Sequence, residues 1–134
     1  MKKVKAIIER ASDGTYSIFM DAPEMDYLVT GTGETAAEAM QAFQDGYDDM
    51  KKMYEEKGEK FEEVKFEYEY DTASFLSLYA GIFSLVGLAS ITGINKGQLS
   101  HYVTGRRKPS RSTAEKIQNS IRDFGKDLGH VCIV

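Results

Sequence analysis

Leu88-Ala89-Ser90-Ile91-Thr92-Gly93-Ile94-Asn95-Lys96-Gly97-Gln98-Leu99-Ser100-His101-Tyr102-Val103-Thr104-Gly105-Arg106-Arg107-Lys108-Pro109-Ser110 has the layout of a helix-turn-helix. Gly93 supplies the backbone freedom for a sharp turn, Asn95 is placed to cap a second helix, and Gly105 to end it. Leu88 and Ala89 can face Leu99, Tyr102 and Val103 across the angle between the two helices. The stretch therefore predicts an all-α module in the second half of the chain.

Projecting residues 95–104 at about 100° per residue puts Leu99, Tyr102 and Val103 on one side. Gly97, Ser100, His101 and Thr104 fall on the other, with Lys96 and Gln98 flanking the first turn. A polar outer surface of this kind suits a DNA major groove, and a basic loop directly behind such a helix suits phosphates. The candidate DNA-binding residues are Asn95, Lys96, Gln98, Ser100, His101, Arg106, Arg107, Lys108 and Arg111. Elsewhere in a chain, Arg106-Arg107-Lys108 would read as a solvated loop, and His101 as an inert surface residue. Their position behind and on the second helix favours contact.

Residues 75–125 resemble the Xre/Cro-type helix-turn-helix family. The resemblance is carried by Leu88-Ala89, the turn Thr92-Gly93-Ile94, then Leu99-Ser100, Gly105, Arg107 and Pro109. It implies sequence-specific binding of double-stranded DNA, commonly by a homodimer or higher homo-oligomer that reads two half-sites.

Upstream, no charged residue occurs from Thr72 to Asn95. That length invites a transmembrane reading. Six Ser/Thr and glycines at 81, 87 and 93 dilute the apolar density too far. Two short buried helices separated by a glycine fit better. Downstream, Ser112-Thr113-Ala114-Glu115 has capping-box spacing, and Ala114, Ile117, Ile121, Phe124 and Leu128 follow at helical steps. The apolar tail after Gly129 can pack on the core or pair with a second copy.

In the first half, Val4, Ala6 and Ile8, then Tyr16, Ile18 and Met20, alternate around the turn signal Ser12-Asp13-Gly14 and predict a hairpin. Asp21-Ala22-Pro23-Glu24 breaks the pattern, and Tyr27-Leu28-Val29-Thr30 reads as a third strand ending at Gly31-Thr32-Gly33. Thr35-Ala36-Ala37-Glu38 opens a helix whose apolar stripe runs from Ala36 through Phe43 to Tyr54, with Gly58 as its stop. Val64, Phe66, Tyr68 and Tyr70 alternate with charged residues and predict a half-buried antiparallel strand. The expected class is α+β. A β-β-β-α-β domain at residues 1–71 precedes an all-α helix-turn-helix domain at residues 72–134.

The net charge of −4 conceals a division. Residues 1–72 hold nine Lys/Arg against eighteen Asp/Glu, and residues 73–134 hold eight against three, giving −9 and +5. Partners of opposite sign are expected for the two halves. On the first helix, Asp45, Asp48 and Asp49, with Glu38, form the acidic candidates for a protein contact.

The front half resembles the HicB antitoxin family. The carrying residues are Tyr16-Ser17-Ile18-Phe19-Met20-Asp21 followed by Ala22-Pro23, then Gly31-Thr32-Gly33-Glu34-Thr35-Ala36-Ala37-Glu38-Ala39. Glu24 stands where the family commonly has a turn glycine, and Gly33-Glu34-Thr35 where it has Gly-Asp-Thr. The resemblance implies a partial ribonuclease-H-like fold. It also implies an antitoxin that neutralises a small basic HicA-type ribonuclease toxin and represses its own promoter. Complementary fields would steer that pairing.

No catalytic constellation is apparent. The carboxylates match no metal-binding loop spacing, and a charged helix face is ordinarily solvated. His130 and Cys132 lack further ligands, and Gly31-Thr32-Gly33 lacks the rest of a phosphate loop. We expect no metal or other cofactor and no enzyme activity. A lone cysteine, and no apolar stretch behind Met1-Lys2-Lys3, lead us to expect a cytoplasmic protein. The alternative expectation is a stand-alone transcriptional regulator whose first domain senses a small ligand or only dimerises.

Overall fold

A computed structural model describes residues 1–134. The chain is α+β, with a four-stranded mixed sheet and five helices. It divides into two compact units, Met1–Leu78 and Tyr79–Val134.

In the first unit, β1 (Lys2–Arg10) and β2 (Tyr16–Asp21) form the expected hairpin, pairing Ala6 with Met20 and Ile8 with Ile18. Gly14 takes φ +87°, and the Asp13 carboxylate accepts from the Thr15 N–H at 2.9 Å and its hydroxyl at 2.6 Å. The alternation works as read. Val4, Ala6, Ile8, Tyr16, Ile18 and Met20 are all buried, and they form one face of the core.

β3 is Thr30–Gly33, so the third strand begins later than Tyr27. The contacts of Tyr27 explain the shift. Tyr27 leaves the sheet to stack on Phe61, with centroids 4.7 Å apart, and its hydroxyl donates to the Glu62 carbonyl at 2.7 Å. The two glycines then let helix α1 (Ala36–Glu56) come down onto the strand. A Cβ on Gly31 would lie 2.4 Å from the Phe43 backbone nitrogen, and one on Gly33 2.6 Å from that of Ala39. Only a residue without a side chain fits there.

α1 starts as expected. The Thr35 hydroxyl accepts from the Glu38 N–H at 3.1 Å, and the Glu38 carboxylate accepts from the Glu34 N–H at 2.9 Å. Its apolar stripe buries Ala36, Ala39 and Phe43 against the sheet, with Met40, Tyr47, Met50 and Tyr54 packed around them.

β4 (Val64–Tyr70) runs parallel to β1, not antiparallel to a neighbour, in the order β3-β2-β1-β4. The long helix decides this. β1 and β3 both oppose β2, and α1 returns the chain along the sheet, so the next strand repeats the direction of β3 and hence of β1. Helix α2 (Thr72–Leu78) packs on β1, α1 and β4. The expected boundary after Asp71 therefore falls after Leu78, because Asp71 ties this helix to the sheet. One carboxylate oxygen accepts from the Arg10 N–H at 2.8 Å and the other from the Ser74 N–H at 2.7 Å.

Burial pushes the Tyr27 phenol up to about 12. An unfolded tyrosine ionises near pH 10. Between about pH 10 and 12 the unfolded chain releases a proton that the folded chain keeps, so stability falls as pH rises through that window. Ultraviolet titration of the native protein should show a late-titrating phenol that disappears in Tyr27→Phe. A native titration unchanged by that substitution would contradict the assignment.

In the second unit, α3 (Leu85–Thr92) and α4 (Lys96–Val103) are joined by Gly93-Ile94-Asn95, and α5 (Arg111–Gly129) packs against α3. Leu88, Thr92, Leu99, Tyr102 and Ile117 are buried among them. α5 is capped by Ser110, two residues before the expected Ser112. Ser110, held extended after Pro109, accepts from the Thr113 N–H at 3.2 Å and closes the first turn. The tail 130–134 carries no regular structure and is exposed throughout, so it does not pack on the core.

Candidate functional site

The turn between α3 and α4 is built from local chemistry. Gly93 takes φ +73°, the left-handed region, and its N–H closes α3 on the Ala89 carbonyl at 2.9 Å. The buried Thr92 hydroxyl donates to the Leu88 carbonyl at 2.7 Å and accepts from the Ile94 N–H at 3.2 Å. Asn95 then caps α4, its side-chain oxygen accepting from the Gln98 N–H at 2.8 Å. That oxygen is committed to the cap, which leaves the Asn95 amide NH2 as its outward donor.

On α4 the inward residues are those expected, with Leu99 and Tyr102 buried and Val103 half-buried. The outward set is less uniform. Lys96, Gly97 and Thr104 are exposed, whereas Ser100 and His101 are half-buried. His101 Nδ1 is enclosed with no hydrogen-bond partner, so only the other edge of the ring can meet an external group. The Thr104 hydroxyl turns back to the Ser100 carbonyl at 3.1 Å.

Gln98 is positioned by a contact not expected from its sequence position on the first turn. Its side-chain amide donates to the Tyr102 hydroxyl at 2.8 Å. Tyr102 thus acts beyond packing, since it holds the long Gln98 side chain in one orientation. The four-residue spacing on one helix face was the available signal.

Behind α4, Gly105 takes φ +73°, and the Arg107 N–H reaches back to the His101 carbonyl at 3.2 Å. This folds the Arg106-Arg107-Lys108 segment against the end of the helix. All three side chains are exposed. Arg111 lies in the first turn of α5, 3.5 Å from Glu115, with 94% of its side chain exposed. An ion pair this open leaves its cation available to a stronger anion. The second unit thus offers Lys96, three adjacent cations and Arg111, a set that can neutralise several phosphates.

The acidic candidates lie on α1 of the first unit. At 3.6 residues per turn, Glu38, Asp45, Asp49 and Glu56 fall within about 40° of one another, a row about 27 Å long. Asp48 lies to one side, and Lys52 interrupts the row's margin. Glu38, Asp45, Asp48 and Asp49 are all exposed. The Glu38 carboxylate is engaged in the helix start, as described above. Asp45 and Asp48 accept from the amides of Gln41 and Gln44 at 2.9 and 3.0 Å. Those contacts orient the carboxylates without neutralising them.

The first unit also carries an open depression of about 470 Å³, with Phe19 and Leu28 among its apolar walls and Asp21 and Asp26 on its border. Its residues run from the end of β2 through the break at Ala22-Pro23 to Tyr27 and Leu28, which the sequence reads as strand. No group of three or more His, Cys, Asp or Glu side chains is arranged to hold a metal ion. Cys132 is exposed. No helix is long and apolar enough to cross a membrane. Comparison of the chain with protein-family models, with curated proteins and with solved structures finds no match.

Proposed function

We propose that the protein is a non-enzymatic, cytoplasmic antitoxin of the HicB type. Its first unit, a partial ribonuclease-H-like domain, neutralises a small basic HicA-type toxin, and its second, an Xre/Cro-type helix-turn-helix domain, represses its own promoter. The observation that carries the reading is the coincidence of charge with folding. Residues 1–78 carry net −9 and residues 79–134 net +5, so each compact unit has its own sign. An acidic domain is suited to screen a basic RNA-binding protein, and a basic one to hold DNA phosphates.

In this reading α4 enters the major groove. Lys96, Gln98, Ser100 and His101 read base edges, with Gln98 pre-oriented by Tyr102, and Asn95 contributes from the first turn. Arg106, Arg107, Lys108 and Arg111 hold the backbone. The acidic row of α1, with Glu38, Asp45, Asp48 and Asp49, faces the toxin.

Two measurements test it. Binding to promoter DNA should weaken with salt by a log–log slope of about −0.9 per phosphate neutralised. The double variant Arg106→Ala, Arg107→Ala should flatten that slope by about two units. A salt-independent interaction, or a slope unmoved by both substitutions, would remove the DNA half of the proposal. For the other half, tagged protein recovered from its native cells should bring down a small basic protein near stoichiometrically. Expression of that protein alone should stop growth. Recovery of DNA alone would leave a regulator without a toxin.

The depression bordered by Asp21 and Asp26 favours a second reading, a stand-alone regulator whose first unit senses a small ligand. Its volume lies within the range of about 300–1,000 Å³ common for such sites, although it is open. A metabolite that raises the unfolding temperature with no basic protein present would support that reading over the first.

A further inference from the structure

We propose that two copies of the chain join through their β4 strands, in antiparallel register centred on Glu67, to make one continuous eight-stranded sheet. β4 is an end strand in the order β3-β2-β1-β4, so one row of its backbone N–H and C=O groups faces away from the sheet. It is seven residues long with no proline, and its only β partner is β1. Such an edge is a template for a further strand unless its side chains forbid one.

The side chains select a second copy. A two-fold axis perpendicular to the sheet keeps each residue on its own face, so only residues of equal parity can oppose one another. Among those registers, the one centred on Glu67 overlaps the whole strand. It sets Lys65 opposite Glu69 of the second copy, twice, and Phe66 opposite Tyr68, twice. Centring on Tyr68 would instead oppose Glu67 to Glu69 on each side of the axis, two destabilising like-charge pairs where the Glu67 register has one. Centring on Phe66 would leave the Tyr70 end without a partner.

The unpaired groups fit this register. Lys65 is exposed and forms no ion pair within the chain, whereas Lys3 and Lys5 already engage Glu67 and Glu69 at 3.2 and 2.9 Å. The two Glu67 carboxylates that meet at the axis are thus each accompanied by a Lys3. Glu69 would sit between Lys5 and the second copy's Lys65. On the helix side of the sheet, Tyr68 remains 36% exposed beside the half-buried Phe66, and pairing across the axis would cover both rings. The inference stands apart from the toxin and DNA readings.

The test uses the full chain. In the wild type, sedimentation should give twice the 15.0 kDa chain mass. Lys65→Glu should weaken dimerisation about tenfold, by reversing two opposed pairs. It should not unfold the protein, because Lys65 faces Lys3 in the β1–β4 register and the substitution relieves a like-charge pair. Adding Glu69→Lys should restore the dimer. With Cys132→Ser as background, Glu67→Cys should oxidise to a covalent dimer, since opposed antiparallel residues lie within disulfide reach. Lys52→Cys, on the α1 surface, serves as the control. A monomeric wild type would overturn the proposal. So would a dimer indifferent to Lys65→Glu, or a Glu67→Cys cross-link no faster than the control's.

Discussion

Gly31→Ala should destabilise the first unit by about 3 kcal/mol or more, seen as a fall in its unfolding midpoint without a change in the second unit. The added Cβ would meet the Phe43 nitrogen at 2.4 Å, the Ala39 carbonyl oxygen at 2.6 Å and the Phe43 Cα at 2.8 Å. All three are backbone atoms of α1, and none can swing aside as a side chain would. The helix would have to lift from β3, opening the contact around Phe43, the largest fully buried side chain. At roughly 4–8 °C per kcal/mol for a small domain, the midpoint should drop by more than about 10 °C. Gly125→Ala provides the contrast. It sits inside α5 with nothing within 4 Å of the added atom, so helix propensity should make it neutral or stabilising by up to about 1 kcal/mol. A Gly31→Ala protein as stable as the wild type would mean that α1 does not lie this close to the sheet.

Leu99→Ala should cost the second unit about 2–5 kcal/mol. Leu99 is fully enclosed, and the core around it is small, made of Leu88, Thr92, Tyr102 and Ile117. With so few residues to collapse into the space, most of the cavity should persist. Domains of this kind hold about 5–15 kcal/mol in total, so the loss removes much of what keeps α3, α4 and α5 together. The DNA binding proposed for it should fall too, while the unfolding transition of the first unit stays in place. Leu99→Met, which nearly conserves volume, should cost less than about 1.5 kcal/mol. Urea denaturation followed by circular dichroism, with DNA binding measured on the same samples, separates these outcomes. Equal loss in both units would show that they do not unfold separately.

The candidate site was legible in part, and the division follows the range of the interactions. The turn at Gly93, the Asn95 cap, the stop at Gly105 and the inward side of α4 depend on atoms within about four residues of one another, so spacing alone reveals them. Gln98 and His101 depend on more. Whether an amide points outward or to the Tyr102 hydroxyl, and how much of an imidazole the unit encloses, is decided by side-chain packing that residue type does not encode. The start of α5 shows the same limit at closer range. Ser110 and Ser112 both offer a capping hydroxyl, and the extended backbone after Pro109 selects the first.

The α+β class, the order of the elements, the hairpin, the long acidic helix with its threonine start, and the opposed charges of the two halves were readable from the residues alone. These rest on side-chain period, local capping and composition, all short-range or additive properties. That β4 runs parallel to β1, that α2 belongs with the sheet through Asp71, and that Gly31 must be glycine emerged from the folded chain. Each of these joins residues far apart in the chain, from twelve between Gly31 and Phe43 to sixty-two between Lys2 and Val64. Such pairings are chosen by the burial and hydrogen bonding of the whole unit, because no local pattern distinguishes a parallel partner from an antiparallel one or a close approach from an open turn.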